Sequence, residues 1–158
     1  MRRLPRGYVD TSVLGGTQDE EFREPSRRFF EQVKAGGYVI LTSATTLREL
    51  AGAPEAVRNV LADVPEGSVL EIPEQVEQEA RALVEAYIAE RVLGEAREAD
   101  AMHVAVASVA EADLLLSWNF RHIVNYDRIR KFNAVNALNG YPEIEIRSPL
   151  EVVYGDED

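Results

Sequence analysis

The sequence contains no cysteine, which excludes a disulfide framework and any thiolate-ligated zinc site. Nor does any window approach the roughly 18 consecutive apolar residues of a membrane span, so no membrane partner is expected. The N-terminus, Met1-Arg2-Arg3-Leu4-Pro5-Arg6, is basic but lacks the apolar run of a secretory signal. Together these absences fit a cytoplasmic protein. Positive charge is scarce: 17 Lys and Arg stand against 28 Asp and Glu, for a net charge of −11. That balance opposes indiscriminate binding to polyanions. Internal repeats, low-complexity tracts and Ser/Gly linkers are missing too. Residues 1–150 are therefore expected to form a single domain, followed by an acidic tail, 151–158, with four acids and no base.

What is present is a globular composition. The chain has 158 residues, 46% of them hydrophobic, enough to bury a sizeable core. Short runs of strand formers alternate with helical patterns. The runs 7–10, 38–42, 68–73, 113–118 and 141–149 read as strands. Helices are expected over 23–37, 43–52, 54–64, 73–93 and 97–112, with a polar helix-like stretch over 119–138. The stretch "READAMHVAVASVAEA" is apolar almost all round, as a buried helix is. "DLLLSW" has the continuous apolar character of a central parallel strand. Strands alternating with helices imply an α/β fold with a parallel sheet covered on both faces.

Several polar residues sit beside apolar elements where a structural protein need not put them. Asp10 ends the first strand, in "GYVDTSVLGG". Glu49 lies in "LREL", on the helix after the second strand. Asp100 lies in the first turn of the apolar helix, and Asn119 follows the fourth strand. Singly, each has a plain explanation. Asp10 caps a helix, Glu49 is a surface residue, and Asp100 meets the helix dipole. Together they fall on the rim where such sheets bind ligands, provided strands one, two and four are parallel neighbours. Carboxylates converging in a dry site repel one another unless a cation is present, and hard oxygen ligands suit Mg²⁺ or Mn²⁺. Nearby, Arg121, Arg128, Arg130 and Lys131 face only Asp127. Such a strip is either a solvated face or a hold for a phosphate chain. His103, three residues after Asp100, is either structural or orients Asp100; Trp118 reads as core.

"YVDTSVLGG", "TTLREL", "EADAMHVAVA" and "DLLLSWNFRHIVN", in this order and spacing, resemble a PIN domain over almost the whole chain. The resemblance is greatest to toxins of VapBC-type toxin–antitoxin pairs. It implies a three-layer α/β/α sandwich with a central parallel sheet of strand order 3-2-1-4-5. It also implies Mg²⁺- or Mn²⁺-dependent hydrolysis of RNA, leaving 5′-phosphate and 3′-hydroxyl ends. Asp10, Glu49 and Asp100 then become the metal-binding acids, with Asn119 the fourth catalytic position. Ser12 then stands where a small hydroxyl residue helps hold the site. Close to that site, Arg121 and His122 of "NFRHIVN" are the candidate substrate contacts, with His122 either that or the cap of a turn. An antitoxin protein and a second copy of the chain are the implied partners, with the helices around 23–64 as the docking surface. One departure stands out. Many PIN nucleases carry aspartate where Asn119 stands, and an amide coordinates without bringing charge. A catalytically weakened module that binds RNA or protein is therefore the alternative. An aspartyl phosphotransferase built on Asp10 fits less well, because the second aspartate of such enzymes, two residues on, is Ser12 here.

Overall fold

The computed structural model describes residues 3–153; the end of the expected acidic tail, 154–158, lies outside the described residues. Five strands form the sheet: β1 (Arg6–Val9), β2 (Val39–Thr42), β3 (Val69–Glu71), β4 (Leu114–Leu116) and β5 (Glu145–Arg147). All neighbours are parallel, in the order β3-β2-β1-β4-β5. The expected three-layer architecture and strand order are both observed.

Period-two alternation along the strands divides the core between the two faces of the sheet. Tyr8, Leu41, Leu115 and Ile146 point to one side. There they meet α5 (Glu74–Ala89), α6 (Glu98–Val109) and α7 (Tyr126–Leu138). Val9, Ile40 and Leu116 point to the other, against α1 (Thr11–Gly16) and α2 (Arg23–Lys34). Helix α6 is buried from Ala101 to Ser108, as its all-round apolar sequence requires. Between β2 and β3 lie α3 (Ala44–Ala51), capped by Ser43, and the single turn α4 (Glu55–Arg58). Among the described residues, no helix is long and apolar enough to cross a membrane.

Some boundaries differ from the sequence pattern, each for a local reason. The expected helix 54–64 breaks after Arg58 into a 3-10 turn at Leu61–Asp63. Pro65 disfavours helical backbone at Val64, which is extended at φ −92° and ψ 152°. The expected helix 73–93 stops at Ala89. Arg91 turns left-handed at φ 59° and Val92 N–H closes onto Tyr87 O at 2.9 Å, the usual way of ending a helix. Val92 and Leu93 then fill the core from the turn. The stretch 119–138 is a tight loop before it is a helix, since α7 starts only at Tyr126, capped by Asn125. Of the expected strand 141–149, only Glu145–Arg147 pairs with β4.

The C-terminal end of β4 is pinned from α1 and α2. Trp118 Nε1 donates to Ser26 Oγ at 2.8 Å, and the indole stacks on Phe22 at 4.2 Å. Gly16 makes room for this contact. A Cβ there would lie 2.5 Å from Ser26 Oγ and 2.7 Å from Trp118 Nε1. Gly16→Ala is therefore expected to destabilise the fold by about 1–3 kcal/mol, as overpacking does. Gly15→Ala, with nothing within 4 Å of its Cβ, is expected to be neutral or to gain up to ~1 kcal/mol of helix propensity. Urea denaturation of the two variants checks the contrast; equal midpoints would rule it out.

Candidate active site

The site starts from strand pairing. Val9 lies opposite Leu116, so the next residues of each strand, Asp10 and Ser117, emerge side by side at the C-terminal rim. Asp10 N–H donates to Leu116 O at 3.2 Å, extending the ladder by one residue. The Asp10 carboxylate is 4% exposed. Ser12 Oγ donates to its Oδ1 and Ser117 Oγ to its Oδ2, each at 2.5 Å, with Val13 N–H at 3.4 Å. Asp10 thus caps α1 as well as lining the rim. Among the described residues it has no ion-pair partner. Burial raises the Asp10 pKa above the usual carboxylate range; the His103 charge and the hydroxyl bonds offset only part of the effect.

Both serines also hold β4. Ser12 Oγ accepts from Trp118 N–H at 2.9 Å, and Ser117 Oγ accepts from Asn119 N–H at 2.9 Å. The same two hydroxyls therefore grip the carboxylate and shape the chain that leaves β4. Asn119 turns its Oδ1 to His122 N–H at 2.9 Å, closing the next turn.

Glu49 projects from α3 with a half-exposed carboxylate. Its Oε1 lies 2.6 Å from His103 Nε2, and its Oε2 accepts from Thr11 Oγ1 at 3.0 Å. Beneath it, His103 Nδ1 is 2.7 Å from Tyr8 Oη, which lies 2.8 Å from Ser43 Oγ. Ser43 Oγ in turn accepts from Thr46 N–H at 3.1 Å. Burial works to lower the His103 pKa. The Glu49 hydrogen bond and the charges of Asp10, Glu49 and Asp100 outweigh it and hold His103 above its ordinary range. The His103 hydrogen bond, foremost, holds Glu49 below the usual carboxylate range. Burial pushes the Tyr8 hydroxyl well up, so it remains a neutral link. An imidazolium in this position donates from both ring nitrogens, to Glu49 and to Tyr8.

Asp100, half-buried in the first turn of α6, makes no side-chain hydrogen bond or ion pair among the described residues. Its charge acts on both His103 and His122. Burial and the charges of Arg97, Arg121 and Arg128 lower the His122 pKa, which marks a positive flank beside Asp100. Arg121 is exposed and free of ion pairs among the described residues. Asp127, by contrast, is bound to Lys131 at 2.9 Å and to Arg130 at 3.5 Å on α7. Trp118 is buried, as expected.

The donor chemistry fits a hard divalent cation. Among the described residues Asp10 is a buried carboxylate without an ion pair and Asp100 one without any side-chain bond, and the charges of both act on His103. The gathering is incomplete, however. Among the described residues, no three His, Cys, Asp or Glu side chains are close enough together to hold an ion. Glu49 is turned to His103 and Thr11. The sequence pattern did not disclose the roles of Tyr8, Ser117 and Thr11. The signals were there: Tyr8 is a polar-tipped aromatic two residues before Asp10, and Ser117 closes the apolar run "DLLL".

Comparisons with known proteins follow the same lines. No curated protein sequence matches the chain. Among solved structures, VapBC2 from Rickettsia felis bound to a DNA fragment from their promoter aligns at TM-score 0.53 and 10% identity. That alignment covers 90% of this chain and 98% of the other. FitAB bound to an IR36 DNA fragment aligns at TM-score 0.55 and 14% identity, covering 96% and 98%. FitAcB from Neisseria gonorrhoeae aligns at 0.54 and 16%, covering 92% and 99%. At such identities the likeness is one of fold. The family model for the PIN domain matches residues 7–128, a span that contains Asp10, Glu49, Asp100 and Asn119. By that match this chain belongs to the PIN domain family, whose members are generally nucleases that use divalent metal ions.

Proposed function

We propose that this chain is a Mg²⁺- or Mn²⁺-dependent ribonuclease of the toxin type, acting as a single cytoplasmic domain. An antitoxin protein and a second copy of the chain are its proposed partners. The observation that carries the reading is the Asp10 carboxylate. It is buried at the rim of the sheet, held by two hydroxyls, and has no cationic partner among the described residues. Removing a carboxylate from water costs several kcal/mol. Hydrogen bonds to a charged group return about 1.5–3 kcal/mol each, and only two of those around Asp10 are short. The His103 charge and these bonds offset only part of the burial that raises the Asp10 pKa, and a bound cation would offset the rest.

Asp10 and Asp100 are the residues that would hold the ion, with Glu49 joining on leaving His103 or acting through a water. Bound there, the cation would lower the pKa of a water and neutralise charge in an in-line transition state. The protein's own contribution is placement. Ser12 and Ser117 fix both oxygens of Asp10. His103, whose charged form the nearby acids favour, would moderate the repulsion among the carboxylates. Arg121 and Arg97 supply positive charge for a phosphodiester chain beside Asp100, and His122, its pKa lowered by burial and those charges, offers a ring nitrogen for hydrogen bonding there. The solved neighbours named VapBC2 and FitAB support a toxin-type role with a partner protein, as does the resemblance of the motifs. One observation favours a second reading, that of a weakened binding module: Asn119 Oδ1 is committed to His122 N–H instead of facing the acids.

Two measurements test the metal site. Millimolar Mn²⁺ should raise the thermal midpoint over that in EDTA, because a ligand of the native state alone adds stability; an unchanged midpoint would exclude the site. Asp10→Asn should lose that response. The pH dependence has a definite sign. Asp10 is raised in the folded state, so its burial costs nothing below the unfolded value, and stability falls as pH rises through the folded one. Asp10→Asn should therefore stand above wild type at pH 7 in EDTA (~7 being ordinary assay pH), with the gap closing in acid. Glu49 is lowered, so its contribution is present above the unfolded value and lost as pH falls through the folded one. Glu49→Gln should sit below wild type at neutral pH.

RNA cleavage should require the divalent ion and drop to background in Asp100→Asn. Asn119→Asp adds a charge and should tighten the ion severalfold, since even ~1.4 kcal/mol is tenfold. Cleavage assays on single-stranded and structured RNA, with and without EDTA, decide between the two readings. If neither wild type nor Asn119→Asp cuts while both bind Mn²⁺, the binding module stands and catalysis falls.

A further inference from the structure

Beside the candidate site, the chain displays a rigid, exposed aromatic that the acidic constellation does not use. Phe120 follows Asn119 directly and is 45% exposed. The loop that carries it is stiff. Phe120 N–H donates to Trp118 O at 2.9 Å, and Ile123 and Val124 N–H both donate to Asn119 O, at 3.0 and 2.8 Å. Asn125 Nδ2 reaches back to the carbonyls of Phe120 and Arg121 at 2.9 and 3.2 Å. The ring is braced on one side by Trp118 at 6.0 Å and Phe22 at 6.4 Å. Phe120 also lines a groove of about 470 Å³ with Tyr126, Ile129, Arg147, Leu150 and Glu151. Tyr126 is 82% exposed and Leu150 61%. Single exposed apolar residues are ordinary. Two aromatics in one groove, beside a loop fixed by these hydrogen bonds, form a prepared surface.

The position of the groove argues for its occupant. It opens at the C-terminal ends of β4 and β5, the same rim that carries Asp10 and Asn119, so it continues the candidate site. Of the charged residues in its lining, Arg147 is paired with Glu145 at 2.7 Å and Glu151 is an acid; the unpaired positive charge lies beside the groove. Arg121 is next in sequence to Phe120, exposed and free of ion pairs among the described residues, and His122 and Arg97 lie beyond it. Aromatic faces beside the Arg121 guanidinium match a single nucleic-acid strand, whose bases stack while its phosphates meet positive charge. A base paired in a duplex cannot enter the groove without being unstacked.

We propose that this groove is a base-stacking subsite, in which Phe120 and Tyr126 receive an unpaired base of a single-stranded RNA beside the phosphate held near Asp100. The inference rests on the nuclease reading and deepens it by placing a base-binding position at Phe120 and Tyr126. Stacking of a base on an aromatic side chain contributes about 1–3 kcal/mol, or roughly five- to hundredfold in affinity.

The test uses the full chain in an Asp100→Asn background, which keeps the strand intact. Its probes are short oligoadenylate and oligouridylate, each paired with the same oligomer made abasic at successive positions. The unaltered groove should prefer the base-bearing strand by about five- to hundredfold. Phe120→Ala should remove most of that preference, Tyr126→Ala part of it, and Phe120→Trp should keep it. Arg121→Ala should weaken both strands alike and flatten the salt dependence. A 2-aminopurine in the strand should lose fluorescence on binding, and Phe120→Ala should abolish the quenching. If Phe120→Ala weakens base-bearing and abasic strands equally, the subsite is overturned. It is overturned as well if that variant leaves the preference intact but dissociates an oligomer in light scattering, since the groove is then a protein interface. Wild-type cleavage that is equally fast on base-bearing and abasic strands would sink the subsite alone. If the wild type neither binds nor cuts RNA, both readings fall together.

Discussion

The rim of this sheet is organised by one costly group, the Asp10 carboxylate. A buried acid must be hydrogen-bonded, neutralised by a proton or neutralised by a cation. Parallel pairing of β1 with β4 brings Ser117 beside it, and the turn into α1 brings Ser12. Those hydroxyls then accept the N–H groups of Trp118 and Asn119, so the chain leaving β4 takes its path from the acid that ends β1. Farther out, Trp118 is locked by Ser26 and Phe22, and Gly16 leaves the space. Replacing Asp10 would therefore touch both the chemistry of the rim and the geometry of its neighbour.

Below the rim lies a second dependency. Tyr8 precedes Asp10 by two residues, so it points to the same face of the sheet as Leu41 and Leu115, into the core with α6. Its hydroxyl is buried there and needs partners. It finds them in Ser43, the cap of α3, and in His103 on α6. The chain of contacts continues to Glu49 and Thr11. One buried network thus sets the relative positions of β1, α1, α3 and α6, the elements that carry the three acids. Neighbouring carboxylates favour the charged imidazole, and its hydrogen bond and charge in turn favour the ionised Glu49. The two effects are reciprocal, as linked titrations must be.

Much of the fold was legible because it follows from burial on two faces. Runs such as "DLLLSW" and "YVILT" name central parallel strands, and "DAMHVAVA" names a buried helix, by composition alone. The strand order was not derivable from those patterns; it came with the PIN resemblance. Boundaries failed where turn chemistry overrode periodicity, at Val64 before Pro65 and at the left-handed Arg91. At the site, the acids were visible because carboxylates stand out beside apolar residues. Their hydroxyl partners were not. Ser12 was visible only through the PIN resemblance, while Ser43 read as a cap and Ser117 as part of an apolar strand until strand register showed what they face. Glu49 was legible as an acid but not as the partner of His103, because that contact spans 54 residues of sequence and belongs to no local spacing.

The distribution of charge resolves the conflict between an acidic protein and a polyanionic substrate. Over distances beyond a Debye length, about 8–10 Å at ordinary salt, the net charge of the molecule is largely screened. What a strand meets at the rim is local: Arg97, Arg121 and Arg128 around His122 and Asp100. A global excess of acid then suppresses casual binding elsewhere on the surface, while the positive flank keeps one approach open. Such a flank attracts any polyanion without reading its bases, because phosphate contacts position a strand and carry no sequence information. Discrimination must come from groups that touch bases, and the residue directly after Asn119 is an exposed phenylalanine on a fixed loop. A stacking face distinguishes unpaired from paired bases more sharply than it distinguishes one base from another. Preference for one RNA over another would then follow chiefly from which strands present an unpaired base beside an accessible phosphate.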